Sequence, residues 1–496
     1  MQPRSALYLR SLRERRITID RHTQHDLGIG GPKGSDPECS LVCFARQSWP
    51  LTGRPLLPPE EALNPSQRGL DGVPKTLSQQ GFAATLLLCI IVCTYLHIPL
   101  VSGGRLLIPS FPAVALAPLL FLTIRRHITA PDIVFLISFG FLLIFSIAFS
   151  PGHSYVTEKA FSLVQCCIAV AITVATVRLM LVIEVGVLER TLLALLCLIV
   201  FGSILEVVGI TKDASDAFRQ WAYEGTYTLY HGDDRDMNFV GWLRPKVFST
   251  EPSHVTTLFV TVLNAWLLLR VNKQKLLIAA IATVVMFTVM GSPMYVVSAA
   301  ITFSILVWNQ KATRRTKTLM VLFAILLSII FVAVFGESTL STVTQRLDRI
   351  GDTTAGGQLD VTSENLRVVF PYLILFEVWS QWPVFGAGIG GKEVVAEGIF
   401  VLQGADPRVG LGTNGLAQGG IYLGILGVAW FLWIFLRHAG HIGIQRLGLL
   451  LVLVGLMAQL QGGVDSIRFW GFISPLWGAL AVADRQMRKL PTQPKI

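Results

Sequence analysis

Long apolar runs are the feature that most restricts what this chain can become. From Gly81 onward about twelve follow one another, near 82–100, 107–124, 132–149, 160–182, 188–209, 254–270, 275–292, 294–309, 318–336, 413–436, 447–462 and 470–484. A helix needs roughly 20 apolar residues to cross a hydrocarbon core about 30 Å thick, and most of these runs approach that length. Only 15% of the 496 residues are charged, while 52% are hydrophobic. A soluble domain carries about 25% charge, so this chain has too little polar surface to cover itself in water. The expected fold is all-α and polytopic, with about twelve transmembrane helices and no evident internal repeat.

The net charge of +10 would suit nucleic acid if it were gathered on one surface. Instead the Lys and Arg sit in short connectors between apolar runs, so nucleic acid is not an expected partner. Arg125, Arg126, Arg178, Arg190, Arg270, Lys273, Lys275, Lys311, Arg314, Arg315, Lys317, Arg437 and Arg446 all fall in alternate loops. Cytoplasmic loops are enriched in such residues, which predicts that both termini are cytoplasmic. The opposite short loops hold little beyond Arg105, Lys159 and Arg468. Residues 1–80 are polar and rich in Pro and Gly, and are expected to be a disordered cytoplasmic tail. "SLRERR" within it lacks a following apolar core, so it is not a signal peptide. Residues 81–490 form the expected transmembrane domain.

This orientation places two long loops outside, at about 210–253 and 337–412. Loops of such length generally do something. "SDAFRQWAYEGTYTLY" in the first and "ENLRVVFPYLILFEVWSQW" in the second read as helical pieces. The second is apolar on most faces with a central Pro371, and it is expected to lie in or dip into the outer membrane face rather than cross it.

At the end of the first loop, "GWLRPKVFSTEPSHVTTLFV" passes from basic residues into an apolar run. Thr250 is a suitable N-cap and Pro252 suits a first helical turn, so a helix is expected to begin at 250–252. Free N–H groups and the macrodipole at such a start favour an anion such as phosphate. Glu251 and His254 are three residues apart, which predicts one shared helix face. Arg244 and Lys246 lie close enough to fold over the same spot. The plainer alternative is that Glu251 complements the dipole and His254 is an interfacial residue.

Other polar features are less specific. Gly386, Gly388, Gly390 and Gly391 follow Arg367 and its apolar segment. They could cradle phosphate, but the strand–helix context and Lys-Ser/Thr of a P-loop are missing, so a structural bend is expected. "HGDDRD" reads as a solvated turn rather than a cation site. Trp221, Tyr223, Tyr227 and Tyr230 suit either sugar stacking or an interfacial belt. Glu206 is one of few carboxylates in an apolar stretch, where such groups are costly and often functional; snorkelling to the interface explains it equally well.

Taken together, "RPKVFSTEPSHVTTLFV", "ENLRVVFPYLILFEVWSQWPVFGAGIGG" and "TNGLAQGGIYLGILG" resemble three ordered segments of the bacterial O-antigen and exopolysaccharide polymerases, within the O-antigen polymerase and ligase superfamily. The resemblance spans about residues 81–485. It implies an inner-membrane glycosyltransferase that polymerises polyprenyl-diphosphate-linked oligosaccharide repeat units on the periplasmic face, without cofactor or metal. Membrane lipid, a chain-length regulator and a flippase are the partners it suggests. By position it implies that Arg244 and Arg367 bind the donor diphosphate and that Glu251 is the acid of the Glu-Pro-Ser element. Glu251 is the first choice for the base and His254 the second, with Lys246, Asn414 and Glu206 as further substrate-binding candidates. Ligase-type members place His before Asn414; here Thr413 stands there, which shifts weight from ligation to polymerisation. A twelve-helix transporter fits less well, because the ionisable groups gather in external loops rather than at the midplane.

An Arg clamp on diphosphate depends on a planar fork that Lys lacks. Arg367→Lys is therefore expected to cripple polymer formation although charge is kept. Near-normal polymer from that variant removes Arg367 from the clamp.

Overall fold

A computed structural model describes residues 77–102, 105–152, 155–224, 242–270, 272–292, 369–398, 414–436 and 463–488, together with Met237, Tyr295 and Thr318. Its elements, in order, are α1 (Leu77–Leu96), β1 (Leu100–Ser102), β2 (Arg105–Ile108), α2 (Phe111–Ile124), α3 (Ala130–Ala148), α4 (Val156–Val182) and α5 (Val185–Val207). There follow α6 (Lys212–Tyr223), α7 (Pro252–Leu269), α8 (Lys273–Met290), α9 (Phe370–Gln381), α10 (Lys392–Gly398), α11 (Gly415–Leu436) and α12 (Ile467–Arg488). Among the described residues 7 helices are long and apolar enough to cross a membrane. The chain is a multi-pass, mainly helical membrane protein. The runs expected at 294–309, 318–336 and 447–462 lie outside the described residues, apart from Tyr295 and Thr318.

Most expected spans match a helix to within a few residues, with three departures. The tail expected to reach residue 80 gives way to helix already at Leu77. The run expected at 107–124 is divided: β2 pairs with β1 as an antiparallel hairpin, and α2 is only 14 residues long. Pro371, central in the expected helical piece, falls in the first turn of α9, where a Pro forfeits no helical bond. With 12 residues, α9 is about 18 Å long, short of the roughly 30 Å hydrocarbon core.

Burial separates inner from outer helices. In α7 89% of the apolar window is buried, against 28% in α3 and in α5. On α3 the buried residues Asp132, Phe135, Phe139, Leu143 and Ser146 recur every three or four positions. Val134, Ile137, Phe141 and Phe145 form the exposed stripe opposite, as expected of a helix facing lipid on one side and protein on the other. Phe135 and Phe139 stack on Trp430 of α11 at ring-centroid distances of 4.6 and 4.3 Å. Phe135 also meets Trp477 of α12 edge-on at 5.6 Å. The last helix, α12, packs chiefly against α4 and α7, and α7 also lies along α5.

One end of the bundle collects basic residues. There Arg178 pairs with Asp132 at 2.6 Å, Arg270 and Lys275 meet Glu189 at 3.7 and 3.2 Å, and Arg485 donates to the Leu181 carbonyl at 2.8 Å. These are connectors that the sequence assigned to a single side. The 242–254 segment lies at the opposite end, where α1 and α5 finish and α7 and α12 begin.

The Gly-rich segment 386–391 is a packed bend. Helix α11 breaks at Gly424, whose φ is 62° and ψ −159°, and the chain ahead of it fills the gap. The Ala387 N–H donates to the Ile421 carbonyl at 2.8 Å, and the Ile425 N–H to the Pro383 carbonyl at 2.9 Å. Ser146 Oγ donates to the Tyr422 carbonyl at 3.2 Å and accepts from the Ile389 N–H at 3.0 Å. Polar backbone freed by a broken helix is thus satisfied within the protein, as hydrocarbon surroundings require. Gly388 has φ +86°, and a Cβ there would come within 2.3 Å of Ser150 Oγ; Gly209, at φ +91°, has nothing within 4 Å of such an atom.

Gly209→Ala should therefore cost only its left-handed conformation, about 1–2 kcal/mol. Gly388→Ala adds overpacking of about 1–3 kcal/mol. Thermal unfolding in detergent is expected to show the larger loss at Gly388, and equal losses would refute the close packing of this bend.

Candidate functional site

The site is built around the approach to α7. Trp242 anchors the approach by donating from Nε1 to the Val289 carbonyl of α8 at 2.8 Å. Arg244, partly exposed, lies in the irregular stretch that follows. The chain then turns sharply, with Val247 at φ 42° and Phe248 at φ 64°. A β-branched residue at positive φ is a true conformational outlier. Such positions cost about 1–3 kcal/mol and persist only when their surroundings over-determine them.

Here the surroundings are buried side chains from α1, α5 and α6. The N–H groups of Lys246 and Val247 donate to Glu206 Oε1 and Oε2 at 3.0 and 2.6 Å, and that of Phe248 donates to Ser215 Oγ at 3.1 Å. The Tyr95 hydroxyl is shared between the carbonyls of Lys246 and Val247, at 3.0 and 2.9 Å. Tyr223 donates to the Phe248 carbonyl at 3.0 Å and to that of Leu96. Arg219 donates from Nε to the Ser249 carbonyl at 2.9 Å and from Nη2 to that of Thr250 at 3.4 Å. The turn also rests on α5 at Gly202, where an added Cβ would meet Val247 Cγ1 at 3.1 Å.

Beyond the turn, α7 begins at Pro252, within the expected 250–252, but its cap falls one residue after Thr250. Glu251 is the N-cap, in extended conformation, and its side chain makes no capping bond. Its carboxylate instead accepts from Ser253 Oγ at 2.9 Å. Thr250, the expected cap, turns its hydroxyl to His254 Nδ1 at 3.2 Å and to Arg468 Nη1 at 3.4 Å. Tertiary partners have taken the hydroxyl that would otherwise have capped the helix. Glu251 stands at the cap rather than inside the helix, and its carbonyl accepts from the His254 N–H at 3.2 Å. Glu251 is partly exposed, whereas His254 is buried.

Arg468, at the start of α12, completes this end. Its Nη1 lies 3.1 and 3.0 Å from the two ring nitrogens of His254, and its Nη2 donates to the Leu96 carbonyl at 3.4 Å. A guanidinium only donates, so His254 accepts in this contact. His97, directly after α1, is buried nearby; burial first and the Arg468 charge second hold it well below the ordinary histidine range. Sequence reasoning did not select Arg468. The available signal was its breach of the charge bias that governs the other connectors.

The remaining candidates separate. Glu206 is 7% exposed and engages both carboxylate oxygens beneath the turn, where it supports the backbone. Lys246 is buried, with its backbone in the same network. Asn414 is fully buried and caps α11, its Oδ1 accepting from the Ala417 N–H at 3.0 Å. Gln418 ties that helix to the residues just ahead of Arg468, accepting from the N–H groups of Gly463 and Val464 at 2.6 and 2.7 Å. Of the aromatic candidates, Tyr223 is a buried clamp of the turn, while Trp221 is exposed. Arg367, Thr413, Tyr227, Tyr230 and the "HGDDRD" stretch lie outside the described residues.

A histidine kept neutral by burial lets the unfolded chain bind a proton that the folded one refuses. Stability should therefore decline as pH falls below about 6.5, by at most about 1.4 kcal/mol per pH unit from this group. His97→Gln is expected to flatten that decline in thermal unfolding followed from pH 7 to pH 5. An unchanged pH slope would show that His97 titrates normally. No family model and no curated protein matches this sequence.

Proposed function

We propose that this protein is a membrane glycosyltransferase that extends polyprenyl-diphosphate-linked oligosaccharides into a polysaccharide at the periplasmic face of the inner membrane. The observation that carries the reading is the start of α7. There a partly exposed carboxylate, Glu251, follows the basic approach segment, and a buried histidine, His254, is held by the Arg468 guanidinium, at the bundle end opposite the basic connectors. The order of the three resembling segments and the positive-inside bias support the same assignment.

In this reading the acceptor sugar hydroxyl attacks the anomeric carbon of the donor. A new glycosidic bond forms as the bond from that carbon to the diphosphate oxygen breaks. The hydroxyl proton passes to Glu251, and the polyprenyl diphosphate leaves carrying the bonding electrons. Arg244 and Arg367 stabilise the charge that develops on it, which bidentate guanidinium bonds do well. Glu251 is favoured over His254 as the base because its carboxylate is accessible and already oriented by Ser253. His254 is buried against Arg468 and better suited to ordering the helix start.

Loss of a general base lowers rates about 10²–10⁴-fold. Glu251→Gln should reduce chain extension by that order while donor binding stays measurable. The assay is reconstitution with lipid-linked oligosaccharide, read as a ladder of oligomers. An unchanged ladder from the variant returns Glu251 to a structural role. A single product of fixed size from the wild type would instead favour ligase-type transfer to a lipid acceptor.

A further inference from the structure

We propose that Glu206 is a positioning residue for this transfer, acting through the left-handed turn at Val247 and Phe248. The inference rests on the glycosyltransferase reading. Glu206 lies one helical turn after Gly202 on α5, so the two share a face. Gly202 gives Val247 room to lie against the helix, and Glu206 then receives the N–H groups of Lys246 and Val247. A carboxylate suits this task because it offers two acceptors and no donor. Gln at the same place would set its amide N–H₂ against one of the two N–H groups.

Three further groups close the cage: Ser215 on the Phe248 N–H, and Tyr95 and Tyr223 on the carbonyls. Arg219 extends it to the carbonyls of Ser249 and Thr250, immediately ahead of Glu251. The cage therefore holds the backbone between the basic approach at Arg244 and the carboxylate at Glu251. A chain free to choose would not place Val247 at φ 42°. If the carboxylate is lost, the turn relaxes towards negative φ and the two halves of the site change their relative position. Misplacement of about 1 Å can lower a rate about 100-fold.

Glycine adopts positive φ without steric cost, which supplies the test. Three full-length variants are compared with the wild type: Glu206→Gln, Val247→Gly, and the two combined. Ser215→Ala and Tyr95→Phe serve as milder changes should Glu206→Gln fail to fold. Amide exchange of the 244–254 peptide is followed by mass spectrometry, and chain extension by the oligosaccharide ladder. Glu206→Gln is expected to speed exchange about tenfold or more and to lower kcat roughly 10- to 100-fold with little change in KM. Adding Val247→Gly is expected to restore part of both.

Unchanged exchange in Glu206→Gln, Ser215→Ala and Tyr95→Phe would overturn the cage. Faster exchange with an undiminished ladder would overturn the positioning role and leave the turn purely structural. The absence of rescue by Val247→Gly in both readouts would overturn the strained turn as the link. A wild type that makes no ladder would defeat the glycosyltransferase reading and the positioning role with it, while exchange would still decide whether Glu206 holds the turn.

Discussion

A peptide group surrounded by hydrocarbon has no water to bond, so each N–H and C=O must find a partner inside the protein. Within helices the ladder meets that demand. Where a helix stops or breaks, other groups have to be brought in, and these irregular places determine how the bundle is put together. At the break in α11 the partners are backbone groups of the Gly-rich bend and the hydroxyl of Ser146. At the turn before α7 they are side chains from three different helices. Each irregularity ties distant parts of the chain to one another.

The same demand gives neighbouring residues different chemistry. Thr250, Glu251 and His254 are close in sequence yet stand in three environments. Thr250 is absorbed into contacts with His254 and Arg468, His254 is covered by that guanidinium, and Glu251 keeps a carboxylate within reach of solvent. A cap made by Glu251 itself would have tied its oxygens to the first turn of α7. One of those oxygens instead accepts from Ser253 Oγ.

Apolar run length made the helices legible, because hydrocarbon thickness sets a fixed requirement that composition must meet. The boundaries were less legible wherever tertiary contacts decided them. Leu107 and Ile108 belong to a strand of an antiparallel pair, but they are as apolar as a helix, so they merged with the run that follows. Glu206 stood out as a carboxylate in an apolar stretch. Its purpose was hidden because the N–H groups it accepts lie 40 and 41 residues later. Arg468 was hidden more deeply, since its contact with His254 spans 214 residues. Pairings of that kind follow from three-dimensional packing and leave no local periodicity to detect.

The placement of α12 bears on how the protein is made. This helix is the last of those described, yet it lies along α7 and supplies Arg468 to a segment completed more than two hundred residues earlier. While the ribosome is still extending the chain, α7 has only its earlier neighbours for cover, and its Thr256, Thr257, Thr261 and Asn264 suit a protein interior better than lipid. Assembly of the helix start at Thr250 and His254 therefore ends with the insertion of α12. Until then the bundle lacks the helix that covers one side of α7, the least apolar of the seven candidate spans among the described residues.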